Sequence, residues 1–264
     1  MTVFLCEPTY EGILSCIYDA GMSKIPQNEL RLEIKDSGQD TELFAVYREC
    51  SPDAEKVQKV IETVCRRLNS GILEQLYAAC LSQDVLRADK MYRYLKVLFL
   101  HGAAAADQLQ IPAVHEVFKL CRSVYNEKHQ FIEFLRFSQM DEGFLAGKIQ
   151  PKNNILELIA PYFADRLPEE NWLICDVGRG KAAVHEKGKK WLLAELSREE
   201  LEKLKTEREE KEWEKLWKTF FTTIAIEQRK NPDCQRNHLP LRFRPLMTEF
   251  AAVQPCGDLE PKVR

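Results

Sequence analysis

The sequence lacks the long apolar runs and the leader sequences of membrane and secreted proteins. Its longest strongly apolar stretch, residues 97–106, contains His101 and Gly102 and is far shorter than the roughly 20 residues that a helix needs to cross a bilayer. The N-terminus has no basic region and reaches an acidic residue already at Glu7, so we predict no signal peptide. We therefore expect a cytoplasmic protein that does not associate with membranes.

Recognisable metal and cofactor motifs are also missing. The nine cysteines are widely spaced and never form a C-x-x-C motif, which excludes the usual zinc-ribbon and iron–sulfur spacings. The histidines do not form an H-x-x-x-H or H-E-x-x-H pattern, the spacing that places two metal ligands on one helix face. We expect no metal ion and no cofactor.

The chain has little net charge. It carries 38 Lys and Arg against 41 Asp and Glu, a formal net charge of −3, so it is not a polycation that would coat nucleic acid indiscriminately. Any contact with nucleic acid must therefore come from a local basic patch. With 264 residues, 45% of them apolar, the chain is long enough to fold into one large or two modest domains.

Hydrophobic periodicity predicts an α+β protein. Apolar residues recur at helical spacing over residues 13–18 and alternate with polar ones over residues 30–34, and helical patterns continue from about residue 53 to 128, which predicts a small N-terminal α/β element and a helical block. From there the pattern predicts a helix at 155–166 and strands at 129–137, 144–149, 172–176, 182–185 and 191–195. We expect this largely antiparallel ββαβββ unit to be closed by a long C-terminal helix.

Two organisations fit this order of elements. In one, residues 1–128 form the α/β element and helical block, and residues 129–250 form a separate α+β domain. In the other, both parts belong to one compact domain. In either case residues 251–264, which contain two prolines and a glycine, are expected to form a loose tail.

The long C-terminal helix is predicted from a capping box and an apolar stripe. Ser197 and Glu200 have capping-box spacing, and no Gly or Pro follows until Pro232. Apolar residues then recur at helical spacing: Trp213, Leu216, Trp217, Phe220, Phe221 and Ile224. We expect this stripe to pack into the core. The alternative is an aromatic platform on which nucleic-acid bases stack.

Residues 228–244, which we call the basic segment, reverse the sign of the charge. The segment holds five cations and a single acid, Asp233, a net charge of +4. The cations are Arg229, Lys230, Arg236, Arg242 and Arg244. Arginine pairs with phosphate through two parallel hydrogen bonds, and Asn231, Gln235 and His238 can donate to phosphates or base edges. We expect a basic loop that binds a nucleic acid or a phosphorylated ligand. The alternative is that its cations complement a helix C-terminus or pair with the acids of residues 202–214.

Four further positions carry candidate chemistry. Arg136 is expected in a strand, facing away from Phe131 and Phe137 and towards solvent or a cleft, where it could contact a nucleotide. His129, Asp176 and His238 are candidate catalytic residues, because histidine exchanges protons near neutral pH and Asp176 follows an apolar strand. The structural alternative is a surface Arg136, two structural histidines and an Asp176 that stabilises a turn beside Arg179.

Four phrases of the sequence resemble a bacterial family of domains of unknown function. Residues 9–14 look like the family's aromatic-acid-Gly-x-Leu opening, and residues 129–137 look like its His-x-aromatic-x-x-Phe-Leu-Arg-Phe signature. Residues 159–176 are similar to a helix and strand of the family, and residues 216–242 to its C-terminal signature. The resemblance covers almost the whole chain. It departs at Tyr162, where we expect His, and at Phe243-Arg244, where we expect Tyr-Trp.

The resemblance implies a role in DNA repair or DNA metabolism. Members of that family are associated with a radical SAM protein, and some are fused to a uracil-DNA glycosylase-like domain. The partners implied are therefore DNA and a radical SAM protein. The cluster of such a partner is not expected in this chain, because its cysteine spacing does not suit one.

Three functions remain open. The first is a DNA-binding or nucleotide-binding accessory protein that acts with a radical SAM partner. The second is a nucleobase- or nucleotide-processing enzyme with a His/Asp/Arg site, which would need a pocket with stacking aromatics. The third is a non-catalytic adaptor that docks its partner through an exposed apolar patch.

Overall fold

The computed structural model describes residues 1–36, 38, 42–140, 143–205 and 212–250. The expected tail at residues 251–264 lies outside these described residues. The chain divides into two compact units. The first unit contains Met1–Glu127 and Lys152–Ile155, and the second contains Lys128–Pro151 and Leu156–Arg264.

The first unit combines a three-stranded sheet with helices. Its parallel strands β1, β2 and β3 lie in the order β2-β1-β3. The elements are β1 (Thr2–Cys6), α1 (Tyr10–Met22), β2 (Leu30–Ile34), β3 (Val46–Cys50), α2 (Ala54–Arg67), α3 (Ser70–Cys80), α4 (Arg87–His101) and α5 (Pro112–Phe134), of which α5 continues into the second unit. Short 3-10 turns occupy Gln27–Glu29 and Ala103–Asp107. The predicted α/β element followed by a helical block is confirmed.

Polar caps and apolar faces explain these helices. Thr9 caps α1 by accepting a hydrogen bond from the backbone N–H of Gly12 at 3.0 Å, and Ile13 and Leu14 on its apolar face are fully buried. Helix α2 begins at Ala54, because the Asp53 carboxylate caps it by accepting from the N–H groups of Glu55 and Lys56. Both caps satisfy backbone donors that the first helical turn leaves unpaired.

A buried carboxylate fixes Lys152–Ile155 in the first unit. The Glu127 side chain accepts from the backbone N–H of Lys152 at 3.0 Å and from that of Asn153 at 2.7 Å. The Asn153 side chain in turn accepts from the backbone N–H of Gln83 at 3.0 Å. Glu127 and Asn153 are 3% and 2% exposed, so these bonds are shielded from competing water.

The second unit contains a five-stranded mixed sheet in the order β4-β5-β6-β7-β8. Its strands are β4 (Phe137–Gln139), β5 (Leu145–Ile149), β6 (Trp172–Asp176), β7 (Lys181–His185) and β8 (Leu192–Glu195), and α6 (Leu156–Arg166) lies between β5 and β6 in the chain. The order ββαβββ is as predicted. Three of the four strand pairs are antiparallel, whereas β5 and β6 are parallel because α6 forms the crossover between them.

The strand predicted at residues 129–137 is wrong. Helix α5 continues through Phe134, and the N–H of Leu135 still donates to the carbonyl of Phe131 at 3.0 Å. Phe131 and Leu135, four residues apart, are 3% and 8% exposed. A short aromatic run fits a buried helix face as well as a strand, and tertiary packing decides between them. Only Phe137 of this range is in a strand.

The described residues that follow β8 are largely helical. Ser197 and Glu200 form the predicted capping box. The Glu200 N–H donates to the Ser197 hydroxyl at 3.2 Å, and the Ser197 N–H donates to the Glu200 carboxylate at 2.8 Å. The helices that follow are α7 (Arg198–Lys205), α8 (Glu212–Thr223) and α9 (Pro232–His238). Residues 206–211, in the middle of the predicted long helix, lie outside the described residues.

Replacing Glu127 with Ala should destabilise the protein strongly. The change leaves the buried N–H groups of Lys152 and Asn153 without their acceptor, which should lower the free energy of unfolding by about 2–4 kcal/mol. Urea unfolding followed by circular dichroism measures the loss. Glu133→Ala, at an exposed position of the same helix, is the matched control and should change stability far less. Equal losses in both variants would contradict the anchoring by Glu127.

Candidate nucleic-acid interface

The basic segment is largely helical, so its prediction as a loop is wrong. A 3-10 turn at Glu227–Arg229 leads to α9, and another 3-10 turn spans Leu241–Leu246. The Asn231 side chain caps α9 by accepting from the backbone N–H of Cys234 at 3.0 Å, and Pro232 suits the first helical position because no N–H is needed there. The Asn231 oxygen is therefore used in the cap.

Most of the side chains predicted to bind phosphate lie at the surface. Seven of them are exposed: Arg229, Lys230, Asn231, Gln235, Arg236, His238 and Arg242. Gln235 and His238 are three residues apart in α9 and so share one face of that helix. Arg236 forms an ion pair with Asp233. Both partners are more than half exposed, 55% and 83%, so the pair is weak and can yield to a phosphate.

Phe243 anchors the end of the basic segment to α5. Its buried ring packs against Phe131 and Phe134, with ring centroids 4.9 and 5.2 Å apart. The Arg242 guanidinium donates to the Gln130 side chain at 3.2 Å while staying exposed. Arg244 is half-buried, with its guanidinium carbon 5.1 Å from the ring centroid of Phe250. Phe243, one of the departures from the resembled family, thus has a packing function here.

Arg136 is held by a buried acid. Its position between α5 and β4, outside any strand, corrects the predicted strand placement. Its Nη2 and Nε donate to Oε1 of Glu249 at 2.8 and 3.3 Å, and its Nη1 donates to the backbone carbonyl of Glu133 at 3.0 Å. The indole Nε1 of Trp217 donates to Oε2 of Glu249 at 3.3 Å. Arg136 and Trp217 also line a cleft of about 510 Å³, so Arg136 borders a cleft with its charge already paired.

Opposing effects act on the Glu249 carboxyl. Its side chain is 3% exposed, and burial alone would raise its pKa. Hydrogen bonds from Arg136, from its own backbone and from Trp217, with the charge of Arg136, outweigh burial and lower the pKa of Glu249 below its ordinary value. The carboxylate is therefore ionised at neutral pH.

The apolar stripe of α8 does not pack into the core, contrary to prediction. Its exposed members are Leu216 at 54%, Trp217 at 41%, Phe220 at 53%, Phe221 at 37% and Ile224 at 57%. Phe221 contacts Phe250 at 5.6 Å between ring centroids. The side chain of Trp213 lies outside the described part of the chain. Amphipathic spacing indicates that a helix has an apolar face, but not which surface covers it.

The three candidate catalytic residues do not form a site in the described structure. His129 is on α5, 73% exposed, with Nε2 3.0 Å from Glu133, and His238 is exposed at the end of α9. Asp176 is fully buried and accepts from Gly178 N, Arg179 N and Arg179 Nη1 at 3.0, 3.2 and 2.9 Å. Asp176 therefore stabilises the β6–β7 turn, as the structural alternative has it. No hydrogen bond or ion pair joins the three described side chains to one another.

One buried histidine was not predicted as a site residue. His185, at the end of β7, is 5% exposed and stacks on Trp172, with centroids 5.1 Å apart and planes 10° apart. Trp172 and His185 lie side by side because β6 and β7 pair at these two residues. The spacing of residues in the sequence does not reveal this pairing. The only signal in the sequence is the Lys-Gly-Lys-Lys-Trp run that follows at residues 187–191.

The described residues contain neither a metal-binding cluster nor a membrane-spanning helix. Within the described ranges, no group of three or more His, Cys, Asp or Glu side chains is arranged to hold a metal ion. None of the helices described is both long and apolar enough to cross a membrane.

The ion pair at Glu249 predicts a pH-dependent stability. Because its folded-state pKa is lowered, its stabilisation is complete above the unfolded pKa of about 4.3 and is lost as pH falls through the lower folded value. Glu249→Gln should therefore cost about 1–3 kcal/mol at pH 7, and much less near pH 3. Urea unfolding at both pH values measures this. The exposed Glu195, changed to Gln, should show neither effect; a pH-independent cost at Glu249 would contradict the assignment.

Comparison with known proteins identifies a family without identifying an activity. No curated protein matches the chain. The profile of a domain of unknown function, DUF4130, matches residues 86–249, more than half of the chain. This range contains the signature phrases at residues 129–137, 159–176 and 216–242, whereas the phrase at residues 9–14 lies before it. The chain belongs to the DUF4130 family of domains of unknown function.

Proposed function

We propose that the protein is a cytoplasmic DNA-binding accessory protein of DNA repair or DNA metabolism that acts with a radical SAM partner. The observation that carries the binding is the exposure of the cations Arg229, Lys230, Arg236 and Arg242 in a segment with a single acid. The DNA context and the radical SAM partner rest on the resemblance of the signature phrases to a family with that association.

The structure of the basic segment supports binding to the nucleic-acid backbone. The backbone of the basic segment is held in short helical turns before it meets a ligand, so less backbone entropy is lost on binding. Phe243 holds the segment on α5, while Arg242 beside it stays at the surface. Gln235 and His238, on one face of α9, add neutral donors of the kind that contact phosphates and base edges.

Three of the nine predicted nucleic-acid ligands are left out of the proposed interface. Asn231 caps α9, and Arg136 is paired with Glu249. Arg244 is half-buried beside Phe250 and contributes charge rather than a free guanidinium. The proposed interface therefore depends on the other six side chains.

The double variant Arg236→Glu/Arg242→Glu should weaken DNA binding. Each phosphate contact releases counterions, so losing two contacts should reduce the slope of log affinity against log salt by about 2 for duplex DNA, and affinity at low salt should fall by about tenfold or more. Fluorescence anisotropy with single-stranded, duplex and uracil-containing DNA across a salt series measures both quantities.

A matched control separates local binding from net charge. Arg66→Glu/Lys96→Glu changes the same amount of charge at two exposed positions on α2 and α4. This control should retain the salt slope of the original protein. If both double variants bind DNA equally, or if the original protein does not bind DNA at low salt, the proposed interface is wrong.

The exposed face of α8 favours a second candidate, the adaptor. Leu216, Phe220 and Ile224 are each more than half exposed, and apolar residues clustered on one helix face commonly bind a partner protein. The occupant that this candidate requires is an apolar groove on the radical SAM protein, into which α8 would insert.

Polar substitution on α8 tests the adaptor. Leu216→Ser/Phe220→Ser removes two apolar contact residues and should weaken binding to the radical SAM protein of the same organism by about tenfold or more. Biolayer interferometry with both purified proteins measures the affinity. Leu100→Ser/Leu192→Ser, at two other exposed leucines, should bind normally. Unchanged binding in the α8 variant would reject the adaptor candidate. That result would not count against the proposal that the protein binds DNA.

A further inference from the structure

A second cleft lies at the turn between β7 and β8. Its volume is about 570 Å³, within the range of sites that bind small ligands. Ala164 lines it from α6 and Pro168 from the chain that follows. The other lining residues are His185 at the end of β7 and Gly188, Lys189, Lys190 and Trp191 after it. All of these residues belong to the second unit, and none is used in the proposed DNA interface.

His185 lines this cleft, and a hydrogen bond to the backbone fixes the tautomer of its neutral ring. Its Nδ1 lies 2.9 Å from the backbone carbonyl of Glu170. A carbonyl oxygen only accepts, so Nδ1 carries the proton in the neutral ring and Nε2 is left with a lone pair. No described residue hydrogen-bonds to Nε2. Stacking on Trp172 and near-complete burial hold the ring in place.

The turn supplies positive charge at the mouth of the cleft. Lys190 is exposed and forms no ion pair with any described residue. Lys189 pairs with Glu186 at 2.7 Å, but both side chains are more than 60% exposed, so an anionic ligand can compete for the ammonium group. Gly188 adopts a left-handed φ of +73°, which lets the chain turn tightly between the strands.

The remaining wall is apolar and includes an indole ring. Trp191 is half-buried and lines the cleft with Ala164 and Pro168. Indole rings stack on flat aromatic ligands, and every nucleobase has such a face. A cleft that combines an indole, two ammonium groups and one fixed acceptor fits a ligand that is planar at one end and anionic at the other.

We propose that this cleft binds a nucleotide. The base stacks on Trp191, the phosphate lies at Lys189 and Lys190, and an N–H or O–H of the ligand donates to Nε2 of His185. The inference goes beyond the proposed DNA interface and does not depend on the basic segment. The same chemistry is presented by a free mononucleotide and by a single nucleotide of a strand.

Isothermal titration calorimetry with nucleoside 5′-monophosphates tests the proposal. We expect single-site binding, with nucleosides and inorganic phosphate each at least about tenfold weaker, because each has only half of the required features. Trp191→Leu and Lys190→Ala should each weaken binding by about tenfold. Lys187→Ala is the matched control, because this lysine of the same turn pairs with Glu169 and does not line the cleft.

Several results would overturn the proposal. These are the absence of mononucleotide binding at millimolar concentration, binding of inorganic phosphate as tight as that of the nucleotide, or equal affinity in Trp191→Leu, Lys190→Ala and the Lys187→Ala control. Thermal unfolding checks that each variant is folded. His185 is not substituted, because loss of its buried stack on Trp172 could unfold the strand pair.

Two further arms separate the cleft from the basic segment and identify the source of the nucleotide. Arg236→Glu/Arg242→Glu should bind mononucleotides normally even where it no longer binds DNA, whereas loss of mononucleotide binding in that variant alone would place the nucleotide outside the cleft. Displacement of the bound mononucleotide by an oligonucleotide, in the original protein and in Lys187→Ala, would show that the cleft accepts a nucleotide of a strand. Lack of displacement supports a free nucleotide.

Discussion

The hydrogen bonds to the buried carboxylate of Glu249 link the two candidate surfaces, which are the basic segment and the exposed face of α8. An ionised carboxylate out of water is costly unless charged and polar donors surround it, and here Arg136 and Trp217 supply them. These residues come from the α5–β4 connection, from α8 and from the chain after the basic segment. The Glu249 carboxylate therefore joins α8 and the chain that follows the basic segment to the connection between α5 and β4.

The same contacts join residues 129–137 to the C-terminal part of the second unit. Residues 129–137 and the region from residue 216 to 249 are far apart in the chain, yet Phe131 packs on Phe243 and Arg136 pairs with Glu249. Within residues 129–137, Phe131 thus has a packing function and Arg136 a charge-pairing function. The cations of the basic segment, by contrast, lie at the surface, where a ligand can reach them.

The sequence predicts the elements that local pattern determines and misses what depends on distant partners. β6, α6 and the capping box of Ser197 follow from alternation, helical spacing and side-chain hydrogen bonds within four residues. Residues 129–137 were misassigned because Phe131 and Leu135 suit a strand and a helix equally, and packing chose the helix. The exposure of the α8 face and the stack of His185 on Trp172 depend on what lies opposite in space, which no periodicity records. The exposed cations were predictable because charge excess is itself a sequence property.

The two proposed sites divide recognition in a way that the physics of nucleic-acid binding favours. Contacts between cations and phosphates provide affinity and orientation with little dependence on base sequence. Discrimination between bases needs a fixed acceptor or donor and a surface that selects by shape. A mobile group discriminates less, because it loses the same conformational entropy whichever ligand it binds. The exposed arginines of the basic segment have the first character, and the buried, stacked His185 beside Trp191 has the second. Within one structural unit, the proposed backbone contact would bring nucleic acid to the protein, and the β7–β8 cleft would select what is bound.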